Sequence, residues 1–434
     1  MAAALLVEAV YPIDLSSWKT YGASANVRDF VAVDGEVWAL TSGGVVRINS
    51  GDLSTATLTN ADGLFTNDLE AGAVDAASRT WLAGYGWLVR RHTNGALNAF
   101  PLLDEDNNPV RLYSLADDGD ALWVGTDLGL ALFDKVVDGG QFQDSYQRFG
   151  AFPARSAVVD IALTPDSIIV ATAPGLALAD RRDRQALKSF ANWTTFAVAD
   201  FPALGGATVT AVALFAGRVF VGATAGLYEL TYTPLDTTLT AVPGAPTTRI
   251  NSLRSGPATL DIYSASGLYQ FDGSVVTAVM LTGLPTNSVT TGLSANGRRF
   301  LGVSGAGVYA EDGAAYVAVE TGAIPSEQVE DIAVSTGSRT LGAFAFGGFA
   351  ELLGAEWDVI EKPFNRRAIS ISFDSTGAVW LGTFGGGVYR VRSTNSMFFD
   401  TTNSALKGNN DGGANNFIVV PEIVSGARYT YFAN

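Results

Sequence analysis

No cysteine occurs among the 434 residues, which excludes both disulfides and thiolate metal sites. Histidine occurs once, as His92. Hydrolytic triads and imidazole metal clusters need more than one chain with a single imidazole can supply. Charge is sparse, at 16% of residues, and lopsided: 43 acidic against 27 basic side chains give a net charge of −16. A nucleic-acid footprint needs a basic face, and adhesion to an anionic membrane surface is disfavoured for the same reason. No run of about 18 uncharged apolar residues is present, so no spanning helix is expected. Residues 1–10 (MAAALLVEAV) are apolar but lack a basic start and carry Glu8. Residues 1–15 are therefore read as an N-terminal segment, the remnant of a trimmed export signal. Helical periodicity is not sustained over a dozen residues anywhere, which excludes helical solenoids.

What is abundant is glycine, 48 residues, and a phrase that keeps returning. It consists of an aromatic or bulky apolar residue, then small residues, then glycine and an apolar pair. Its clearest copies run from Trp123 through Gly125 and Gly129 to Leu130, and from Trp380 through Gly382 and Gly387 to Tyr389. Other copies begin at Trp38, Trp81, Ile169, Phe220, Ile262, Phe300 and Leu341, which spaces the phrase 38 to 51 residues apart. A period in that range marks a repeat architecture.

Each repeat reads as four strands. An apolar alternating run such as 159–163 leads into an Asx-Gly or similar turn (Asp34-Gly35, Asp118-Gly119, Asn296-Gly297). Such pairs supply the positive φ angles of two-residue hairpins. The second strand carries the phrase, its aromatic filling the space between adjacent sheets and its glycine letting another backbone come close. A third strand and a more polar fourth complete the unit. The expected fold is therefore all-β, a β-propeller of four-stranded blades. Nine units plus a fraction exceed the usual blade number. The expected layout is two seven-bladed rings, the second incomplete: residues 16–315, then 316–434. The long intervals around 150–215 leave open an interrupted first ring with a second inserted after about residue 155, and a single ten-bladed ring is a further layout. Trp18 to Tyr21 reads as an orphan outer strand, and 417–420 with 428–431 as the first two strands of a tenth unit.

The phrase W-x-G-T-x-x-G-[LV]-[YF], with connectors at Asp62 to Leu64 and Thr282 to Val289, resembles the two-component regulator propeller repeat. Copies at Ile169 and Ile262 depart from it, lacking the aromatic and the glycine two residues on. Softer matches at 31–41, 144–149, 170–176 and 401–406 are similar to PorZ-like surface proteins of the type IX secretion system. The resemblance implies an exported bacterial protein, placed in the periplasm or at the cell surface. It implies a non-catalytic binding or scaffold role with protein partners in a secretion or signalling complex, and a glycan or lipopolysaccharide as a further ligand. The alternative it implies is the periplasmic glycan-sensing region of a hybrid two-component regulator. On that basis a terminal β-sandwich, or a membrane span and kinase, beyond Asn434 would separate the two.

Sites of chemistry are few. His92 reads as a strand-edge residue beside the Asn94-Gly95 turn. Gly302 to Ala306 lacks the final glycine of a nucleophile elbow, and 384–387 has no lysine or helix to complete a phosphate cradle. Asp104, Asp106 and Asn108 form the densest oxygen-donor loop. Calcium favours such donors, but no bidentate acid completes the spacing, so a solvated turn is the default and no cofactor is expected. Arg181 to Arg184 reads as a charged loop tip able to dock an acidic partner. A propeller hydrolase or lyase, the third reading, predicts carboxylates clustered in the central funnel, whereas an apolar funnel would dispose of it. Tyr85, Phe346 and Phe384 stand beside second-to-third-strand turns, where they either face a ligand or cap the core between blades. Trp38, Trp81, Trp123, Gly125, Gly129, Trp380, Gly382 and Gly387 are read as packing devices.

Overall fold

The structure, a computed structural model, describes residues 21–433 apart from 233–236, 327, 346–347, 355, 361–366, 393–394, 409–417 and 426–428. Among the described residues there is no α-helix. Across the described residues nine four-stranded antiparallel sheets follow one another, and a two-stranded hairpin follows them. The sheets occupy 27–58, 69–101, 112–146, 158–197, 209–241, 250–278, 289–318, 329–360 and 367–399. Within each, strands neighbour one another in chain order, which is the blade of a propeller. The Asx-Gly turns are formed as the composition demands: Asp34 and Gly35 have φ of 50° and 85°, Asn296 and Gly297 of 53° and 77°.

The repeat phrase sits where sheets face each other. Trp81 is fully buried against Leu122, Val124 and Phe133 of the third sheet. Trp123 is buried against Val158, Ile168 and Val170 of the fourth, and Trp38 against Leu82 and Val89 of the second. Burying one such ring is worth roughly 2–3 kcal/mol. Each indole N–H needs a partner when buried. Asp75, Asp118 and Asp374 accept from Trp81, Trp123 and Trp380 at 2.9, 3.0 and 3.0 Å, and Glu36 from Trp38 at 2.8 Å. The glycines follow a steric rule: a Cβ on Gly125 would lie 2.6 Å from the Val158 carbonyl of the next sheet. Gly382 meets Val420 in the same way, while Gly129 and Gly387 hold φ of 131° and 86°.

The first strands of the first seven sheets surround a common cavity of about 710 Å³, to which all seven contribute lining residues. The seventh sheet lies against the first. Val27 and Phe30 share a core with Phe300 and Val308, and Thr290 Oγ1 donates to the Val27 carbonyl at 2.8 Å. The eighth and ninth sheets contribute nothing to that lining. On the eighth, Val329 and Ile332 are 43% and 55% exposed, whereas Val27 and Phe30 at the same strand positions of the first sheet are each 1% exposed.

The stretch around Tyr21, the last hairpin and the long fourth repeat each have their own local structure. Trp18 to Thr20 lie outside the described residues, and Tyr21 belongs to no sheet. It packs edge-on against Trp357 at 6.0 Å, next to a parallel bridge between Ala23 and Ile324. The final hairpin is Glu422–Ser425 with Thr430–Ala433, later than the expected strands, because Pro421 has no N–H with which to continue a ladder. Phe417 and Arg428 lie outside the described residues. The long interval in the fourth unit comes from the connection between Asp180 and Thr194, which folds two short 3-10 turns (Ala186–Lys188 and Phe190–Asn192) onto the third sheet. There Leu187 and Trp193 join the core of Tyr146 and Phe149.

Candidate ligand site at the channel mouth

Tyr85 stands at the turn between the second and third strands of the second sheet. It is 44% exposed and bridges Arg111, whose guanidinium lies 5.1 Å from its ring. Arg111 precedes the first strand of the third sheet, so this turn and the start of that strand meet at one end of the channel. Four charges converge there. Arg111 binds Asp68 at 2.8 Å and Glu70 at 2.7 Å, while Arg28 binds Glu70 at 2.9 Å and pairs with Asp68. Burial opposes the charge on Arg111, but its two carboxylates hold it more firmly protonated than a free arginine.

The two acids respond differently to the same arginines. Burial works against ionised Asp68, yet bonds from Arg111 and Arg28 outweigh it and lower its pKa. Glu70 is less exposed, at 17% of its side chain against 30%, and burial raises its pKa despite both arginines. Tyr113, beside the quartet, is raised by burial and by the charge of Asp127.

Deeper in the channel the third residue of the first strand joins neighbouring sheets. Asp29 accepts from its neighbour Phe30 at 2.8 Å and from the Gly72 amide of the second sheet at 2.9 Å. Asp160 does the same with Ile161 and with Val212 of the fifth sheet, both at 2.9 Å. Outside the channel, Asp331 of the eighth sheet repeats the pattern with Ile371 of the ninth. Elsewhere a hydroxyl or amide on the second or third residue makes the join: Thr210 to the Ile250 carbonyl, Asn251 to Val289 and Ser252 to Thr290. Ser114 occupies the same place between the third and fourth sheets, and its buried hydroxyl has no partner. Asp29 also receives Arg254 at 2.6 Å, but burial still raises its pKa. Burial pushes Asp160 up to about 7, and the charge of Asp29 across the channel adds to the shift.

The channel is therefore charged rather than apolar, which leaves the funnel carboxylates that the enzyme reading requires. Each is already held by amides or guanidinium groups. None lies beside an imidazole, since His92 Nε2 bonds Asn98 at 2.6 Å on an exposed turn. Of the three expected aromatics, Tyr85 joins this site. Phe384, 47% exposed and bridging Val419, belongs to the ninth sheet, and Phe346 lies outside the described residues. Asp104 caps its own loop, accepting from Asp106 N, Asn108 N and Asn108 Nδ2 at 2.9, 2.8 and 3.1 Å. Among the described residues no group of three or more His, Cys, Asp or Glu side chains is placed to hold a metal ion. Arg181 to Arg184 is engaged within the chain: Arg181 and Arg184 pair with Asp118, and Arg182 with Asp166 and Asp180. Sequence reasoning missed the quartet. Its signal was charged residues recurring one repeat apart at the starts of apolar strands: Glu70 and Arg111 are 41 positions apart.

No protein-family model matches the sequence, nor does any curated protein sequence. Solved structures do match. PorZ of Porphyromonas gingivalis, an essential bacterial surface component of the type IX secretion system, aligns with a TM-score of 0.69 at 16% identity, covering 95% of this chain and 56% of PorZ. The extracellular domain of a putative hybrid two-component system of B. thetaiotaomicron aligns with a TM-score of 0.52 at 14% identity, covering 87% of this chain and 53% of that one. A streptogramin B lyase aligns with a TM-score of 0.51 at 10% identity over 66% of this chain and 93% of its own. The chain thus spans little more than half the length of the first two. At these identities the likeness is one of fold, the β-propeller. No helix among the described residues is long and apolar enough to cross a membrane.

Proposed function

We propose that this chain is a non-catalytic binding and scaffold module of the PorZ kind, exported to the periplasm or cell surface, with protein partners in a secretion or signalling complex. In this reading residues 16–315 form a seven-bladed ring and 316–434 begin a second ring, whose leading sheet offers the exposed Val329, Ile332 and Val334 to a further blade. The observation that carries the non-catalytic reading is the state of the channel carboxylates. Asp29, Asp68, Glu70 and Asp160 are each engaged in joining sheets or neutralising arginines, so none of these four stands unpartnered as an acid or base for a substrate. That argues against the lyase or hydrolase reading even though the fold admits it.

The second reading, a glycan sensor, is favoured by one feature: an exposed Tyr85 ring beside an arginine–carboxylate quartet. Aromatic faces stack on sugar rings, and fixed donors and acceptors can match ring hydroxyls. Two measurements separate the readings. Disruption of the gene in its native host should retain type IX cargo inside the cell if the scaffold reading holds. The purified chain on an array of bacterial and host glycans, lipopolysaccharide included, should bind through Tyr85 if the sensor reading holds. Normal export together with a Tyr85-dependent array signal would reject the first reading in favour of the second.

A further inference from the structure

The fourth strand of the third sheet, Gln141–Tyr146, pairs with the third strand alone and lies at the bottom of a trough. The trough has a volume of about 820 Å³, and every residue from 142 to 148 lines it. A strand seen from one face shows only alternate residues, so it is the free edge that opens to the trough. The walls come from neighbouring blades. On one side the connection after the second sheet brings Leu102 and Glu105, and Leu102 packs on the core between the second and third sheets. On the other, the outer connection of the fourth sheet brings Leu187, Lys188 and Phe190, and Leu187 belongs to the core between the third and fourth. The two walls thus stand on opposite faces of the third sheet.

The edge offers backbone groups of its own. The Tyr146 carbonyl turns inward to the third strand, 2.4 Å from where a Cβ on Gly129 would stand. Residues of an antiparallel strand alternate between its two sides, so Ser145 turns its N–H and C=O outward. Neither has a hydrogen-bond partner among the described residues, whereas the Gln147 carbonyl accepts from the Arg155 amide at 2.7 Å. A slip in register opposite Gln143 bends the start of the strand, so the straight edge begins at Asp144. Two features flank it. A second cavity of about 230 Å³ shares Leu102, Ser145 and Gln147 with the trough and is otherwise lined mainly by Leu103, Val110, Leu128 and Leu130. On the opposite wall the exposed Arg148 lies 4.6 Å from the centre of the Phe190 ring. The nearby cations Lys188 and Arg155 are paired, with Asp144 at 2.6 Å and Glu105 at 3.2 Å. Among the described residues no carboxylate pairs with Arg148. In a chain of net charge −16 that leaves one cation for an incoming acid.

We propose that this trough takes an extended segment of a partner protein as a fifth strand of the third sheet. Backbone bonds to Ser145 hold the segment, a bulky apolar side chain fills the smaller cavity, and an acidic side chain pairs with Arg148. Because the cavity and the arginine lie on opposite faces, those two side chains stand an odd number of positions apart. The outward N–H and C=O of one edge residue are what another strand matches, which favours a polypeptide over a sugar stacked on Phe190. The proposal deepens the scaffold reading and rests on it for the existence of a protein partner.

The test pans a phage library of random short peptides against the whole chain. Enriched sequences should carry an acidic and a bulky apolar residue an odd number of positions apart. The tightest of these peptides should slow amide exchange at Ser145 and Gln147 severalfold. Ser145→Pro removes the outward N–H at an edge position, where proline is tolerated, and should weaken binding by about tenfold or more. Arg148→Glu changes an exposed side chain and should abolish the preference for an acid, so it decides the matter if S145P does not fold. No enrichment, or peptides bound equally well by both variants, overturns the proposal. A glycan signal lost in Phe190→Ala without peptide enrichment overturns it in favour of a sugar cleft, and self-association lost in S145P in favour of a second copy of this chain. Peptide capture by a chain whose disruption leaves type IX export normal keeps the trough and drops the scaffold reading. Failed export without peptide enrichment does the reverse.

Discussion

The tightest approach between sheets can be tested by a single methyl group. In Gly125→Ala the new Cβ would lie 2.6 Å from the Val158 carbonyl oxygen and closer still to the Ser114 hydroxyl across the strand pair. An ordinary carbon–oxygen contact needs about 3.2 Å, so the fourth sheet must retreat by roughly 0.6 Å or the third strand pair must twist, in an interior packed like a crystal. Overpacking of this kind costs about 1–3 kcal/mol. Taking about 2 kcal/mol, a ring of this size should lose roughly 3 °C in its melting temperature. Scanning calorimetry at constant pH measures it. The double variant S114A/G125A removes the nearer obstacle but leaves the Val158 carbonyl, so it should recover about half the loss. Gly125→Ala melting within 1 °C of the parent would refute the argument. It would mean the glycine is tolerated rather than required, and that the sheets are held apart by something other than backbone contact.

Other perturbations probe different parts. Asp75 is 5% exposed and holds Arg79 and the Trp81 indole, with buried Lys135 at 3.8 Å. D75N should therefore cost about 3 kcal/mol in urea unfolding, and little change would refute its place in the core. Burial opposes the charge of Asp75, but Trp81 and Arg79 lower its pKa below the unfolded value. Its contribution is therefore present above the unfolded aspartate pKa and lost as pH falls through the folded one, and the D75N deficit should shrink in acid. Tyr85→Ala, at an exposed ring, should shift unfolding by less than about 0.5 kcal/mol while abolishing any glycan signal. Calcium at millimolar concentration should leave the melting temperature unchanged, because Asp104 already accepts three bonds from its own loop; a rise of several degrees would restore calcium as a ligand.

The fold was legible because each device acts locally. Asp34-Gly35 makes its turn wherever it stands, and a tryptophan paired with a glycine two residues on marks the second strand of its sheet. Gly125 and Gly382 could be read as packing glycines because steric exclusion depends only on the period that brings the next backbone past. The channel was less legible. Arg28, Asp68, Glu70 and Arg111 lie in or just before the first strands of three successive sheets, and each alone looks like a surface charge. Only superposing the repeats in register would have shown that their side chains share one end of a cavity. Asp160 was harder still. It accepts from the Val212 amide of the next sheet, 52 residues on, and a lone aspartate in an apolar run does not announce so distant a partner. Tyr85 and Phe384 share a turn type but stand on the second and ninth sheets, and a turn type alone does not say which sheet neighbours which.

The outer connection between Asp180 and Thr194 has a consequence for how this chain can vary. It holds the extra length of the longest repeat at the circumference, where Leu187 and Trp193 anchor it onto the neighbouring sheet and the channel wall keeps its register. Length added at the rim leaves the inner strands where they were. The rim is thus the place where a natural variant could gain a lobe, or an engineered one a fluorophore or an affinity tag, without the inner ring of strands registering the change.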